Sequence, residues 1–96
     1  MKRLKEIQNV LNNNRSTLDS RFKVKKIGIF GSLIRGEARE QSDIDILVEL
    51  YEPIGWDFVE LKDFLETILQ KPVDLVTKNS LKQLIREQIL NEVIYT

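Results

Sequence analysis

Apolar residues along the chain fall into two rhythms, one of helical spacing and one of strict alternation. Leu4, Ile7 and Leu11 recur at helical spacing with Lys and Glu between them, which predicts an amphipathic helix over residues 2–12. The polar run "NNNRST" interrupts it, and "TLDSRF" predicts a second short helical piece. "KKIGIF" reads as a first strand built on β-branched Ile27 and Ile29, with Gly28 pointing to the close approach of another backbone or to a bend. Gly31-Ser32 ends that strand, "SLIR" makes about one helical turn, Gly36 stops it, and "EAREQS" is a polar loop. "DIDILVEL" alternates: Ile44, Ile46, Val48 and Leu50 share one face of a second strand, and Asp43, Asp45, Leu47 and Glu49 the other. After the turn "YEPIG", residues 56–70 carry Phe58, Leu61, Leu65, Ile68 and Leu69 along one side of a long helix. "PVDLVT" predicts a third short strand with Pro72 at its entry, where a missing N–H is tolerated. Ser80 and Gln83 give a capping-box signal for a last helix over 81–93, with Leu81, Leu84 and Ile85 starting its buried stripe.

The predicted order is helix, strand, short helix, strand, helix, strand, helix. A helix between the second and third strands suits a parallel crossover, and the short link between the first and second allows antiparallel pairing. The expected fold class is therefore α+β: a small mixed sheet of three or more strands, covered by helices on one face. Ninety-six residues suit a single domain over 1–96.

Composition narrows the chemistry. Fifteen basic residues balance 15 acidic ones, so no global basic field recruits nucleic acid. The chain has no cysteine and no histidine, which removes disulfides, the usual zinc and copper ligands, and the commonest general base. A metal here would be a hard cation held by oxygen. No apolar run approaches the roughly 20 residues of a membrane span, and the basic start "MKRLKEIQNVL" lacks the apolar stretch of a signal peptide. The expected location is the cytoplasm.

Two acids interrupt the most apolar strand. Asp43 and Asp45 share a face, ~6.5–7 Å apart along the strand, where like charges repel unless a divalent cation is bound between them. Asp74, flanked by Val73 and Leu75, repeats the apolar-acid-apolar pattern and joins them if its strand lies alongside. Three acids on adjacent strands suit metal-assisted phosphoryl chemistry. Taken singly, each acid reads more simply as a solvated edge or loop residue, and Glu49 as solvated. Gly31 and Ser32 stand where main-chain N–H groups attract anions, although taken alone the pair reads more simply as a turn with Ser32 as N-cap for "LIR". Arg35 reads as structural; Arg39 is open between a phosphate contact and a pairing with Glu37, Glu40 or an acid of the cluster.

Together these residues resemble a known pattern. Gly31-Ser32, ten intervening residues and Asp43-Ile44-Asp45 are similar to the Gly-Ser-x10-Asp-x-Asp signature of the DNA polymerase β-like nucleotidyltransferases, and "GSLIRGEAREQSDIDILV" resembles their minimal nucleotidyltransferase subgroup. "VDLV" at 73–76 resembles the strand of the third acid, so the similarity spans Ile27 to Val76. The resemblance implies that Asp43 and Asp45 bind magnesium, with manganese as a substitute. It also implies that Asp74 completes the metal site and helps deprotonate an acceptor hydroxyl, and that Gly31 and Ser32, with Arg39, hold the phosphates of ATP. It implies transfer of AMP to an acceptor, a tyrosine of a HEPN-domain toxin, within a type VII-like toxin–antitoxin pair in which this chain is the antitoxin. Larger relatives add a helical lobe, so a partner or a second copy would complete the pocket. Trp56, Phe58 and Ile94-Tyr95 are candidate contacts, against the simpler reading as core or capping aromatics. The alternatives are a binding module that masks its partner with little or no turnover, and a transferase for a small molecule or an RNA end.

Overall fold

The computed structural model describes residues 4–96; the expected helix start at residues 2–3 lies outside them. Helices α1 (Leu4–Asn13) and α2 (Arg15–Phe22) lead into strand β1 (Val24–Phe30), the one-turn helix α3 (Ser32–Arg35), β2 (Ile44–Leu50), α4 (Asp57–Leu69) and β3 (Val73–Thr77). A 3-10 turn (Lys78–Ser80), α5 (Gln83–Glu92) and the two-residue strand β4 (Ile94–Tyr95) follow.

The four strands lie in the order β3-β2-β1-β4. β1 runs antiparallel to β2 and to β4, and β2 runs parallel to β3 with α4 as the crossover, as expected from the spacing. Alternation dictates what faces where. Ile27 and Ile29 of β1, Ile44, Ile46 and Val48 of β2, and Val73 and Leu75 of β3 enter the main core with Ile7, Leu11, Leu18, Phe22, Leu61, Leu65 and Leu69 from α1, α2 and α4. Helices α1, α2 and α4 cover that face. On the other face α5 contributes Ile89 to a small cluster with Phe30 and Leu47.

Two hydrogen bonds fix the entry of β3, one to β2 and one to α4. Ile44 N–H donates to the Pro72 carbonyl at 3.0 Å, and Val73 N–H donates to Glu66 Oε2 of α4 at 2.8 Å. The backbone of β3 is thus tied at its entry to both its strand neighbour and its crossover helix.

Gly28 meets the expectation of close approach. A methyl group there would lie 2.6 Å from Val93 Cγ2 and 3.1 Å from the Ile94 carbonyl oxygen, because β4 crosses this point. Four expectations fail locally. Leu84 and Ile85, expected to start a buried stripe on the last helix, are exposed. Ser80 does not cap the last helix: its N–H donates to Thr77 Oγ1 at 3.2 Å, its hydroxyl to the Thr77 carbonyl at 2.9 Å, and α5 starts at Gln83 behind Lys82 without a side-chain cap. Ser32 does not cap α3 either, since Gly31 holds the N-cap position. Glu49 is not simply solvated: Tyr95 Oη donates to Glu49 Oε2 at 3.3 Å, and Lys78 Nζ lies 3.6 Å from Glu49 Oε1. Among the described residues no helix is long and apolar enough to cross a membrane.

Candidate active site

The parallel register places Asp45 directly opposite Asp74, and the antiparallel register places it opposite Phe30, the last residue before Gly31. Paired residues of neighbouring strands project to the same side. Asp45 and Asp74 therefore share the face opposite the main core, fixed there because Ile44, Ile46, Val73 and Leu75 bury themselves on the other. Asp43 falls one residue ahead of β2, exposed, two positions before Asp45.

Asp45 is the most constrained of the three. Its carboxylate lies against the Cα of Gly31: a Cβ there would sit 2.1 Å from Asp45 Oδ2. Gly31 has φ 77° and ψ −147°, a conformation that L side chains avoid, so glycine is required on two counts. Burial raises the Asp45 pKa above the ordinary carboxylate value; the Asp74 charge adds to this, the Ser32 N–H hydrogen bond opposes it, and Asp43 and Arg35 act in opposite senses to a smaller degree. The acids are thus close enough to repel one another. Among the described residues no three of them are already gathered at ligating distance. Partial burial, like charges on one rigid face and oxygen-only donors fit a hard divalent cation, which would reverse that repulsion.

The main-chain donors next to Asp45 already face carboxylates. Ser32 N–H faces Asp45, and Gly31 N–H donates to Glu92 Oε1 at 2.7 Å. Arg35 Nη1 donates to Glu92 Oε1 at 3.1 Å and Oε2 at 3.3 Å, and Arg35 Nε to Glu37 Oε1 at 3.2 Å. The Glu92 bond, foremost among these contacts, raises the Arg35 pKa further. Arg39, the expected phosphate contact, sits exposed on the loop after α3, where its N–H donates to Ser42 Oγ at 3.0 Å. Among the described residues no ion pair joins it to the acids. Arg35 is the cation nearest the cradle. Glu92 has no signal in the sequence, because 61 residues separate it from Gly31.

A second concavity, of about 460 Å3, lies at the far end of β2 and β3, lined by residues such as Glu49, Tyr51, Pro53, Phe58 and Lys78. It contains none of the three acids. Trp56 stands almost fully exposed near it at the N-cap position of α4, making no side-chain capping bond, while Phe58 packs against the main core.

A strand–glycine–helical-turn unit thus lies beside paired acids on a mixed sheet, and comparison with known proteins shows the class of protein that carries it. The nucleotidyltransferase domain profile matches residues 11–96. Protein adenylyltransferase MntA of Thermococcus cleftensis is 48% identical over 93 residues, covering 96% of this chain and 94% of that protein. A solved structure of a presumed minimal nucleotidyltransferase superposes with TM-score 0.74 at 36% identity, covering 92% of this chain and 93% of that one. A chain from the complex of a tri-AMPylated Shewanella oneidensis HEPN toxin with its MNT antitoxin superposes with TM-score 0.67 at 25% identity, covering 93% and 70% respectively. The chain belongs to the nucleotidyltransferase domain family, in the minimal nucleotidyltransferase group. It is a nucleotidyltransferase, and its substrate is a nucleotide.

Proposed function

We propose that this chain, acting as one domain, is a magnesium-dependent protein adenylyltransferase that moves AMP from ATP to a tyrosine hydroxyl of a HEPN-domain toxin and thereby serves as its antitoxin in the cytoplasm. The observation that carries the reading is the β2–β3 register, which sets Asp45 opposite Asp74 beside Gly31. Similarity to an adenylyltransferase and to an antitoxin bound to an AMPylated HEPN toxin supports the acceptor and the role.

Asp43, Asp45 and Asp74 would hold the cation, which when bound offsets charge on the phosphates and on the attacking oxygen. Asp74, at the exposed edge of the pair, accepts the acceptor's proton. The acceptor oxygen then forms a bond to the α-phosphorus, the bond from that phosphorus to the bridging oxygen breaks in line, and pyrophosphate leaves with the electron pair. Gly31, Ser32 and a neighbouring arginine hold the phosphates. Positioning and charge carry such a reaction, which requires neither His nor Cys.

Incubation with α-labelled ATP, magnesium and a HEPN-domain protein tests this. Label on the partner, abolished by Asp45→Asn and Asp43→Ala, supports it. The rival reading, masking without turnover, draws on the absence of a pre-gathered metal cluster among the described residues. Inhibition of the partner that persists without label in Asp43→Ala would establish masking instead.

A further inference from the structure

Glu92 ends α5, and its carboxylate is the anion seated on the Gly31 N–H, 2.7 Å away, and on Arg35 at 3.1 and 3.3 Å. The Glu92 side chain is only 17% exposed, while that of Arg35 is 42% exposed, so the carboxylate sits in a partly covered contact at the rim of the cradle. No step of the proposed transfer uses Glu92. Yet a carboxylate presents to an N–H and a guanidinium the same chemistry as a phosphate: negative oxygens accepting charge-assisted bonds. Both cannot occupy one donor.

We propose that Glu92 is an internal competitor of the nucleotide: its carboxylate fills the Gly31–Arg35 donor pair in the resting chain, and the polyphosphate must displace it to bind. The inference rests on the nucleotide-binding reading of Gly31. The tether makes the competitor effective. Ile89, one turn earlier, packs with Phe30 and Leu47, and β4 immediately after pairs Ile94 with Ile29 and Tyr95 with Gly28. Glu92 is held between these two anchors, so its local concentration at the cradle is high and its release is confined to the side chain. On displacement Arg35 exchanges one anionic partner for another, and the affinity of the nucleotide is scaled down to the fraction of time the cradle is open. A purely structural tie between α5 and α3 would have a different consequence: its loss would lower stability and leave affinity unchanged.

The test is calorimetric titration of the full chain with magnesium and AMP-PNP, comparing wild type with Glu92→Gln, which keeps length and removes charge. The proposal expects about tenfold tighter binding in Glu92→Gln, corresponding to a cradle open roughly a tenth of the time. Equal or weaker binding in the variant, with the wild type binding normally, overturns the proposal and leaves the nucleotide reading standing. Binding to neither protein overturns that reading and this proposal with it. A second measurement needs no variant: in wild type, the Glu92 side-chain carboxyl and Gly31 amide resonances are followed through the same titration. Both shifting with one saturation curve is the expected result; a Gly31 shift with a stationary Glu92 carboxyl overturns the proposal.

Discussion

Gly31→Ala is the substitution for which the structure makes the sharpest prediction. The added Cβ would lie 2.1 Å from Asp45 Oδ2, 2.8 Å from its Cγ and 3.1 Å from its Cβ. The backbone at φ 77° and ψ −147° is strained for any L residue, by about 1–3 kcal/mol. The carboxylate must also swing away from its place beside the Ser32 N–H, an overpacking cost of about 1–3 kcal/mol, part of which is relieved as the charge regains water. The two effects together destabilise the fold by about 2–4 kcal/mol, or about 10–25 °C in Tm for a domain of this size. Thermal and urea unfolding of Gly31→Ala measure the sum. Repeating the substitution on an Asp45→Ala background removes the clash and leaves the backbone part, so the double-mutant cycle returns a coupling of about 1–3 kcal/mol. A Gly31→Ala protein within about 0.5 kcal/mol of wild type, or a cycle with no coupling, would refute the packing of Asp45 on Gly31.

Asp45→Asn should stabilise the metal-free chain at neutral pH while abolishing transfer. Because burial and the Asp74 charge raise the Asp45 pKa, its favourable contribution is complete below the ordinary value of 3.8 and is lost as pH rises through the folded-state pKa. The variant's advantage, about 1 kcal/mol or less given the partial exposure, should therefore shrink on acidification toward that value; urea midpoints across pH check this, and an advantage independent of pH contradicts it. Leu65→Ala, at a fully buried position of α4, should cost about 2–5 kcal/mol in urea unfolding, whereas Arg21→Ala, which breaks an exposed pair with Glu60, should cost under about 1 kcal/mol. Burial and the neighbouring Glu49 carboxylate raise the Tyr95 pKa above 10.0, so Glu49→Gln should lower it; phenolate absorbance in a Tyr51→Phe background reads the change, and an unmoved titration would break the proposed link.

The parts of this fold that could be read from the chain are those in which local pattern and global packing agree. Alternation in "DIDILVEL" and "VDLV" put Ile44, Ile46, Val73 and Leu75 on one face, and so turned Asp45 and Asp74 to the other, once parallel pairing joined the strands. The crowding at Gly28 was visible too, but not its cause, because β4 is two residues long and carries no alternation to recognise. Local chemistry misled where another donor or acceptor prevailed. Thr77 Oγ1 took the Ser80 N–H before a capping box with Gln83 could form, and Gly31 occupied the N-cap position that Ser32 would have filled. Glu49 read as a solvated charge on its own strand, and Glu92 carried no signal at all; only the packing of α5 and β4 against β1 brings Tyr95 to the first and Gly31 to the second. Long-range contacts of this kind depend on tertiary placement, which single-residue chemistry does not encode.

The central claim is that Asp45 and Asp74, set side by side by the β2–β3 register, hold a divalent ion next to Gly31. Crystals grown with manganese and AMP-PNP test it directly through anomalous scattering. The account predicts a manganese peak bridged by the Asp45 and Asp74 carboxylates, with Asp43 as a further ligand and the phosphates at Gly31. A peak elsewhere, or an Asp74 side chain turned from the ion while nucleotide is bound, would contradict it.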